Sequence, residues 1–345
     1  MKRTTRSVPL FFGLVIALMM AILPTMQLDA VASTPIASPG ASPVAGATGI
    51  EGAAKWLISQ QAEDGSFLGF SGEADAGTTV DAIMALAAAK HAGVDVGSSI
   101  ENGIAYLASG DVALVYTQTG VGQSAKLALV LIATGQNPDD FANVSPLLIL
   151  EHGFNADTGL YGTGVYDTAL TMLAFAADGR EVPAAARQGL KATKAENGGW
   201  AFDGSTDAAN ADSNTTSMVV QAMVASGKPN SNLVVGGVEY LKSTIGDDGA
   251  TYNLAADAAP DANSTALAVQ GLIAAGVDAT SLLQALASFQ NEDGSFYYNA
   301  ATPGSNLLAT IQAIPALAEM TFPIAPDAVE ATPAALFPIV RTLAA

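Results

Sequence analysis

The chain has 345 residues, half of them hydrophobic but only 6% aromatic and 13% charged, with a formal charge of -19 and no cysteine. Small aliphatic side chains must therefore do the packing, and with only 13 dispersed Lys and Arg residues the chain lacks the basic face that neutralises nucleic-acid phosphates. Without cysteine there is no disulfide framework, no thiolate zinc site and no thiol nucleophile.

The N-terminus reads as an export signal. Lys2, Arg3 and Arg6 precede an apolar run over 8–23, and Ala30-Val31-Ala32 has the small-x-small pattern of a cleavage site. Residues 1–32 are thus expected to be a signal peptide and the chain to be secreted or extracytoplasmic, with an uncleaved N-terminal anchor as the alternative. Pro24 ends the run short of the ~20 residues of a comfortable span, so no stable membrane span is expected after cleavage. Residues 33–48, rich in Pro, Ala, Ser and Gly, are expected to form a disordered linker.

From residue 49 the pattern is helical and repetitive. Gly93, Gly135, Gly179, Gly227 and Gly276 each close an Ala/Leu/Val-rich run, recurring about every 45 residues, a spacing that marks stacked supersecondary units. Each unit opens with an amphipathic segment, passes a Gly-rich or acidic turn and ends in a more uniformly apolar helix with glycine as its C′ residue. In chain order the predicted pairs are 51–61 with 78–91, 100–109 with 123–134, 144–152 with 167–177, 183–195 with 214–226, 233–244 with 263–275, and 280–290 with 306–319. The second helix of each pair, apolar around most of its surface, is predicted to be the inner one. Periodicity leaves open whether these twelve helices form a closed ring or an open solenoid.

The turns carry a signature. Gln60-Gln61-Ala62-Glu63-Asp64-Gly65-Ser66-Phe67 has the form Gln-x-x-x-Asp-Gly-Ser-aromatic, and Gln290-Asn291-Glu292-Asp293-Gly294-Ser295-Phe296 is a shortened copy. Lys194-Ala195-Glu196-Asn197-Gly198-Gly199-Trp200 and Gly246-Asp247-Asp248-Gly249-Ala250-Thr251-Tyr252 are weaker copies. On these residues the chain resembles the prenyltransferase and squalene-cyclase repeat family over residues 49–319. The resemblance implies an all-α fold, an α6/α6 toroid of six helical hairpins around a central cavity. The turn itself reads as structural, with glycine taking positive φ and Asp or Asn binding nearby amides. Its acidic pairs read as solvated turns rather than calcium ligands.

The catalytic chemistry of that family is not evident. Its class II cyclases protonate substrate through an Asp-x-Asp-Asp motif, which is absent here, and its zinc transferases need Cys and His where this chain has only His91 and His152. Both histidines are expected to cap helix ends. No catalytic residue and no metal ligand is therefore assigned. The loop-facing acids Asp167, Asp212 and Asp261 remain candidates for a carbohydrate-active alternative.

Three inner helices share a glutamine at what reads as one depth, Gln221, Gln270 and Gln312, and seven residues earlier stand Asn214, Asn263 and Ser305, expected N-caps. A buried amide needs a partner, so the glutamines are predicted either to bond neighbouring helices or line a wet cavity without a ligand, or to ring a bound ligand with amide donors and acceptors. Asp81 and Lys126 fall at comparable positions on consecutive inner helices and are expected to pair inside. Asp167-Thr168-Ala169-Leu170-Thr171-Met172 and Asn263-Ser264-Thr265-Ala266-Leu267-Ala268-Val269-Gln270 resemble inner-helix starts of the transcobalamin and intrinsic-factor toroid. That likeness implies cobalamin as one candidate ligand.

The candidate ligand-binding residues are thus Gln221, Gln270, Gln312, Asp167, Thr168, Asn214 and Asn263. The expected function is a secreted, non-catalytic toroid binding a small hydrophobic or amide-rich ligand, cobalamin-like or isoprenoid, or a surface partner. A diverged enzyme and a structural or adhesion repeat are the alternatives. Residues 320–345, with Pro323, Pro326, Pro333 and Pro338, are expected as a tail that wraps the ring or stays loose.

Overall fold

The structure, a computed structural model, describes residues 49–325. The expected signal peptide 1–32, linker 33–48 and tail from 326 onward lie outside the described residues.

Thirteen helices are present among the described residues. The first unit pairs α1 (Gly49–Ser59) with α2 (Ala76–His91) across a hairpin of β1 (Phe67–Leu68) and β2 (Ala74–Asp75). The second has α3 (Ser99–Leu107), a short α4 (Val112–Gln118) and α5 (Val121–Ala133). In the third, α6 (Pro146–His152) and α7 (Val165–Ala177) flank the hairpin of β3 (Phe154–Asn155) and β4 (Leu160–Tyr161). The fourth joins α8 (Ala184–Ala192) to α9 (Ser213–Ala225). The fifth runs from α10 (Asn232–Ser243) through β5 (Ile245–Gly246) and β6 (Gly249–Ala250) to α11 (Ala262–Ala274). The sixth runs from α12 (Thr280–Ala287) through β7 (Phe296–Asn299) and β8 (Thr302–Asn306) to α13 (Leu307–Leu317).

The second helices pack in sequence, α2 on α5, α5 on α7, α7 on α9, α9 on α11 and α11 on α13, and α13 returns to α2. The ring is closed, and the expected α6/α6 toroid is the fold. The inner helices are those predicted. Every residue from Ala262 to Leu272 in α11 is buried, as a helix covered on all sides requires. Small side chains permit this: a Cβ on Gly271 would lie 2.7 Å from Ser217 Oγ, so α9 and α11 touch where only glycine fits. The five unit-closing glycines all have φ between 70 and 84°, the left-handed C′ conformation read from the sequence.

Two expectations are corrected. The predicted twelve helices omit α4, because its seven residues are too few to show a period and Asp111 before it makes no side-chain cap bond. The turns expected between helices fold in four units into two-stranded hairpins, too short for alternation to be visible in the sequence.

The turn signature joins neighbouring units. Asp64 Oδ1 accepts the Ser66 N–H and O–H, and Asp293 does the same for Ser295. Gln61 Nε2 donates to Gly65 O and, across to the next unit, to Ser99 O. Gln290 Nε2 donates to Gly294 O and Gly49 O. The working glutamine is therefore Gln61, three residues before the Asp, and the copy at 290 is the true register rather than a shortened one. Gln60 is exposed, and its side-chain amide donates to Ser59 Oγ rather than across to the next unit. Gly65, at φ 87°, lies so near the next outer helix that a Cβ would sit 2.2 Å from Asn102 O; for Gly294, at φ 92°, the atom struck is Gly52 O at 2.4 Å.

A second device fastens each turn to its inner helix. The hydroxyls of Thr79, Thr168, Thr216, Thr265 and Thr310 accept the N–H of Phe67, Tyr161, Trp200, Ala250 and Phe296 at 2.8 to 3.0 Å. Thr79, Thr168, Thr265 and Thr310 also donate to the carbonyl four residues earlier, and Ser124 does so in the second unit. These six positions give each inner helix a common origin.

Candidate functional site

Counting two residues on from that origin reaches Asp81, Lys126, Leu170, Met218, Leu267 and Gln312, one from each inner helix, and all six line the central hollow. Five residues on, about 4.5 Å deeper along the axis, Met84, Leu129, Gln270 and Pro315 line it too. Gln312 therefore belongs to the Asp81 layer, and only Gln221 and Gln270 share a depth. The expected equivalence of all three glutamines is corrected: reckoned from the threonine, Gln312 comes one helical turn early.

In the upper layer Lys126 Nζ lies 2.8 and 2.9 Å from the two Asp81 oxygens, the interior pair expected from sequence. Burial opposes the Lys126 charge, but the Asp81 carboxylate, aided by Tyr116 and Tyr166, more than compensates, and its pKa is raised. Burial likewise raises both phenols, so they stay neutral. Apart from Tyr166, Gln270 and Gln312 the rest of the lining is apolar, and the hollow has a volume of about 70 Å³.

The glutamines face this hollow or its closure. Gln270 and Gln312 line it, and the Oε1 of each is buried without a donor among the described residues. Gln221, fully buried, donates from Nε2 to Ser217 Oγ at 3.3 Å and accepts at Oε1 the N–H of Phe322 at 2.8 Å. Phe322 itself lines the hollow. Nothing in the Pro-rich tail pattern signalled that residue 322 reaches the lumen.

The remaining candidates lie at the loop-bearing end. Asp167 Oδ2 accepts the N–H and O–H of Thr163, and the Thr168 hydroxyl is committed to the hairpin. Asn214 Oδ1 accepts from Ser213 Oγ, while Asn263 Oδ1 is buried without a donor among the described residues. Neither asparagine caps its helix. The caps of α9, α11 and α13 are Asp212, Asp261 and Asn306, which receive the N–H groups of Thr215, Ser264 and Ala309. The expected caps Asn214, Asn263 and Ser305 miss by one or two residues because several polar residues precede each apolar run.

These caps are chemically distinctive. Burial outweighs the bonds from the helix N-terminus and raises Asp212 from 3.8 to about 6, and Asp261 likewise. Burial, and then the neighbouring Asp212 carboxylate, raise the Tyr252 phenol pKa. Tyr298 is raised by burial and by Asp261. At the opposite end His91 Nε2 donates to Ala325 O at 2.5 Å; His152, which closes α6 just before the β3 strand, has its Nδ1 2.8 Å from Leu148 O. No helix among the described residues is long and apolar enough to cross a membrane.

No protein-family model and no curated protein matches the sequence. Solved structures do resemble the fold. The type II terpene cyclase MstE from Scytonema is 13% identical, with TM-score 0.56 over 78% of this chain and 96% of that one. The GH76A alpha-1,6-mannanase from Salegentibacter sp. HEL1_6 is 11% identical, with TM-score 0.57 over 78% and 98%. A protein from Actinoplanes is 14% identical, with TM-score 0.55 over 78% and 98%. At such identities the likeness concerns the fold, and this chain has the α/α toroid seen in the terpene cyclase and the mannanase.

Proposed function

We propose that this chain is an extracytoplasmic, non-catalytic receptor that takes a small ligand, apolar in body with a hydrogen-bond-donating end, into the lumen of its toroid. The observation that carries the reading is the pair of orphaned carbonyls, Gln270 Oε1 and Gln312 Oε1, on the wall of an otherwise largely apolar hollow. A buried acceptor without a donor costs about 1 to 3 kcal/mol, and leucine at either position would pack without that cost. A ligand hydroxyl or amine would recover it. The N-terminal signal pattern supports an extracytoplasmic location.

Of the two ligand classes, an isoprenoid alcohol suits the lumen better than a corrin. A linear chain can thread between six helices, whereas a broad macrocycle meets a hollow of about 70 Å³. Catalytic cyclisation is disfavoured because the only carboxyl among the lining residues, Asp81, is paired with Lys126.

Farnesol and geranylgeraniol titrated into the purified protein test the reading by thermal melting and calorimetry. Both should raise the melting midpoint, and the Gln270→Leu/Gln312→Leu double variant should bind at least about tenfold more weakly. No midpoint shift with either alcohol would overturn it.

A second reading rests on the loop end, where Asp212 and Asp261 keep protons to about pH 6 beside Tyr252 and Tyr298. The mannanase of like fold has an inactive variant with two aspartates replaced by asparagine. If this chain hydrolyses glycans there, Asp212→Asn and Asp261→Asn abolish the activity; a mannan and glucan panel with no turnover by the parent protein removes this reading.

A further inference from the structure

The end of the described chain lies across one mouth of the lumen. After α13, Glu319 takes φ 51° and the Met320 N–H returns to Pro315 O, so the chain reverses at the C-terminal ends of the inner helices. It does not leave the ring. The Phe322 N–H bonds to Gln221 on α9, Ile324 is buried, and three residues past Phe322 the Ala325 carbonyl accepts from His91, the last residue of α2. In the ring order α2, α5, α7, α9, α11, α13, the helices α9 and α2 stand three places apart, on opposite sides. Residues 320–325 therefore span the mouth along a diameter.

The contact at Gln221 has the chemistry assigned above to a ligand. An apolar body, the Phe322 side chain, is offered with a donor, its own N–H, to a buried glutamine carbonyl. Gln270, at the same depth on the neighbouring helix, has no donor at its carbonyl among the described residues. One of two equivalent acceptors is thus met by the chain itself. With Phe322 in place the hollow holds about 70 Å³, well below the roughly 300 to 1,000 Å³ of ordinary small-molecule pockets.

Resting on the receptor reading, we propose that residues 320–325 are an intramolecular occupant of the lumen, a strap that an isoprenoid alcohol displaces from Gln221 as it enters through this mouth. The strap sets the working affinity, because the apparent dissociation constant rises in inverse proportion to the fraction of molecules with the mouth open. It also sets selectivity: a ligand must offer both a donor to Gln221 and enough apolar surface to replace Phe322.

The absence of cysteine gives a direct test. In Phe322→Cys the sole thiol reports the strap's position through its maleimide labelling rate, and saturating farnesol should raise that rate about tenfold or more. In Phe322→Ala farnesol should bind about tenfold more tightly than to the parent, with a melting curve confirming that the variant is folded. Farnesol binding with equal affinity to parent and Phe322→Ala, and with unchanged labelling of Phe322→Cys, overturns the strap and leaves the receptor standing. Failure of farnesol and geranylgeraniol to bind either the parent or Phe322→Ala overturns the receptor reading, and the strap with it.

Discussion

Gln290 and Gly49, the one in the last turn and the other at the start of the first helix, are held by two hydrogen bonds: the Gly49 N–H donates to Oε1 at 2.6 Å and Nε2 donates to the Gly49 carbonyl at 2.8 Å. The amide that links the first unit to the second through Gln61 and Ser99 here joins the last to the first. A repeat that would otherwise extend as a solenoid is closed by its own linking residue.

Removing that link should loosen the seam. Gln290→Leu loses three hydrogen bonds, including the one to Gly294 O, and at about 1 kcal/mol net each should cost about 2 to 3 kcal/mol. Gln61→Leu, which loses two, should cost less. Urea denaturation of both variants measures the difference; an unaffected Gln290→Leu would show that the seam is held by packing alone.

The threonine clasp should be equally measurable. Thr216→Val keeps the shape but leaves the buried Trp200 N–H without its acceptor at 3.0 Å, a loss of about 1 to 3 kcal/mol. Thr216→Ser, which keeps the hydroxyl, should retain the hydrogen bond and lose less. A Thr216→Val variant as stable as the parent would show that this hydrogen bond does not hold the turn.

The interior pair makes a signed prediction. Lys126→Met leaves the Asp81 carboxylate without its cation and should destabilise by about 3 to 5 kcal/mol, while Asp81→Leu/Lys126→Met should recover most of that loss. A double-mutant cycle by chemical denaturation checks it, and additive losses would mean the two groups act independently.

Asp212 and Asp261 give the protein an unusual pH dependence. Each is raised from 3.8 to about 6 in the fold, so between those values the native state binds more protons than the unfolded chain. Their contribution is complete below about pH 4 and is lost as pH rises through 6, the reverse of a salt-bridged carboxylate. At pH 7.5 Asp212→Asn or Asp261→Asn, which keeps a capping oxygen, should therefore be more stable than the parent by on the order of 2 to 3 kcal/mol, and the gain should vanish near pH 4. Urea midpoints at the two pH values decide the matter.

Local chemistry made much of the toroid legible in the sequence. Positive φ at the helix ends selects glycine, the turn needs Asp-Gly followed by an aromatic, and the inner helices are apolar on every face, so unit number, order and inner-outer assignment could be read from residue types. Asp81 and Lys126 were legible too, because equal offsets on consecutive helices place charges side by side. Tertiary structure alone decided the rest. Whether Gln60 or Gln61 crosses to the next unit, whether Asp212 or Asn214 caps, and which layer holds Gln312 depend on shifts of one to three residues that leave composition and period unchanged. Ring closure at Gly49 and the reach of Phe322 to Gln221 join residues 241 and 101 positions apart. Such contacts exist only once six units have turned a full circle, and no local pattern encodes them.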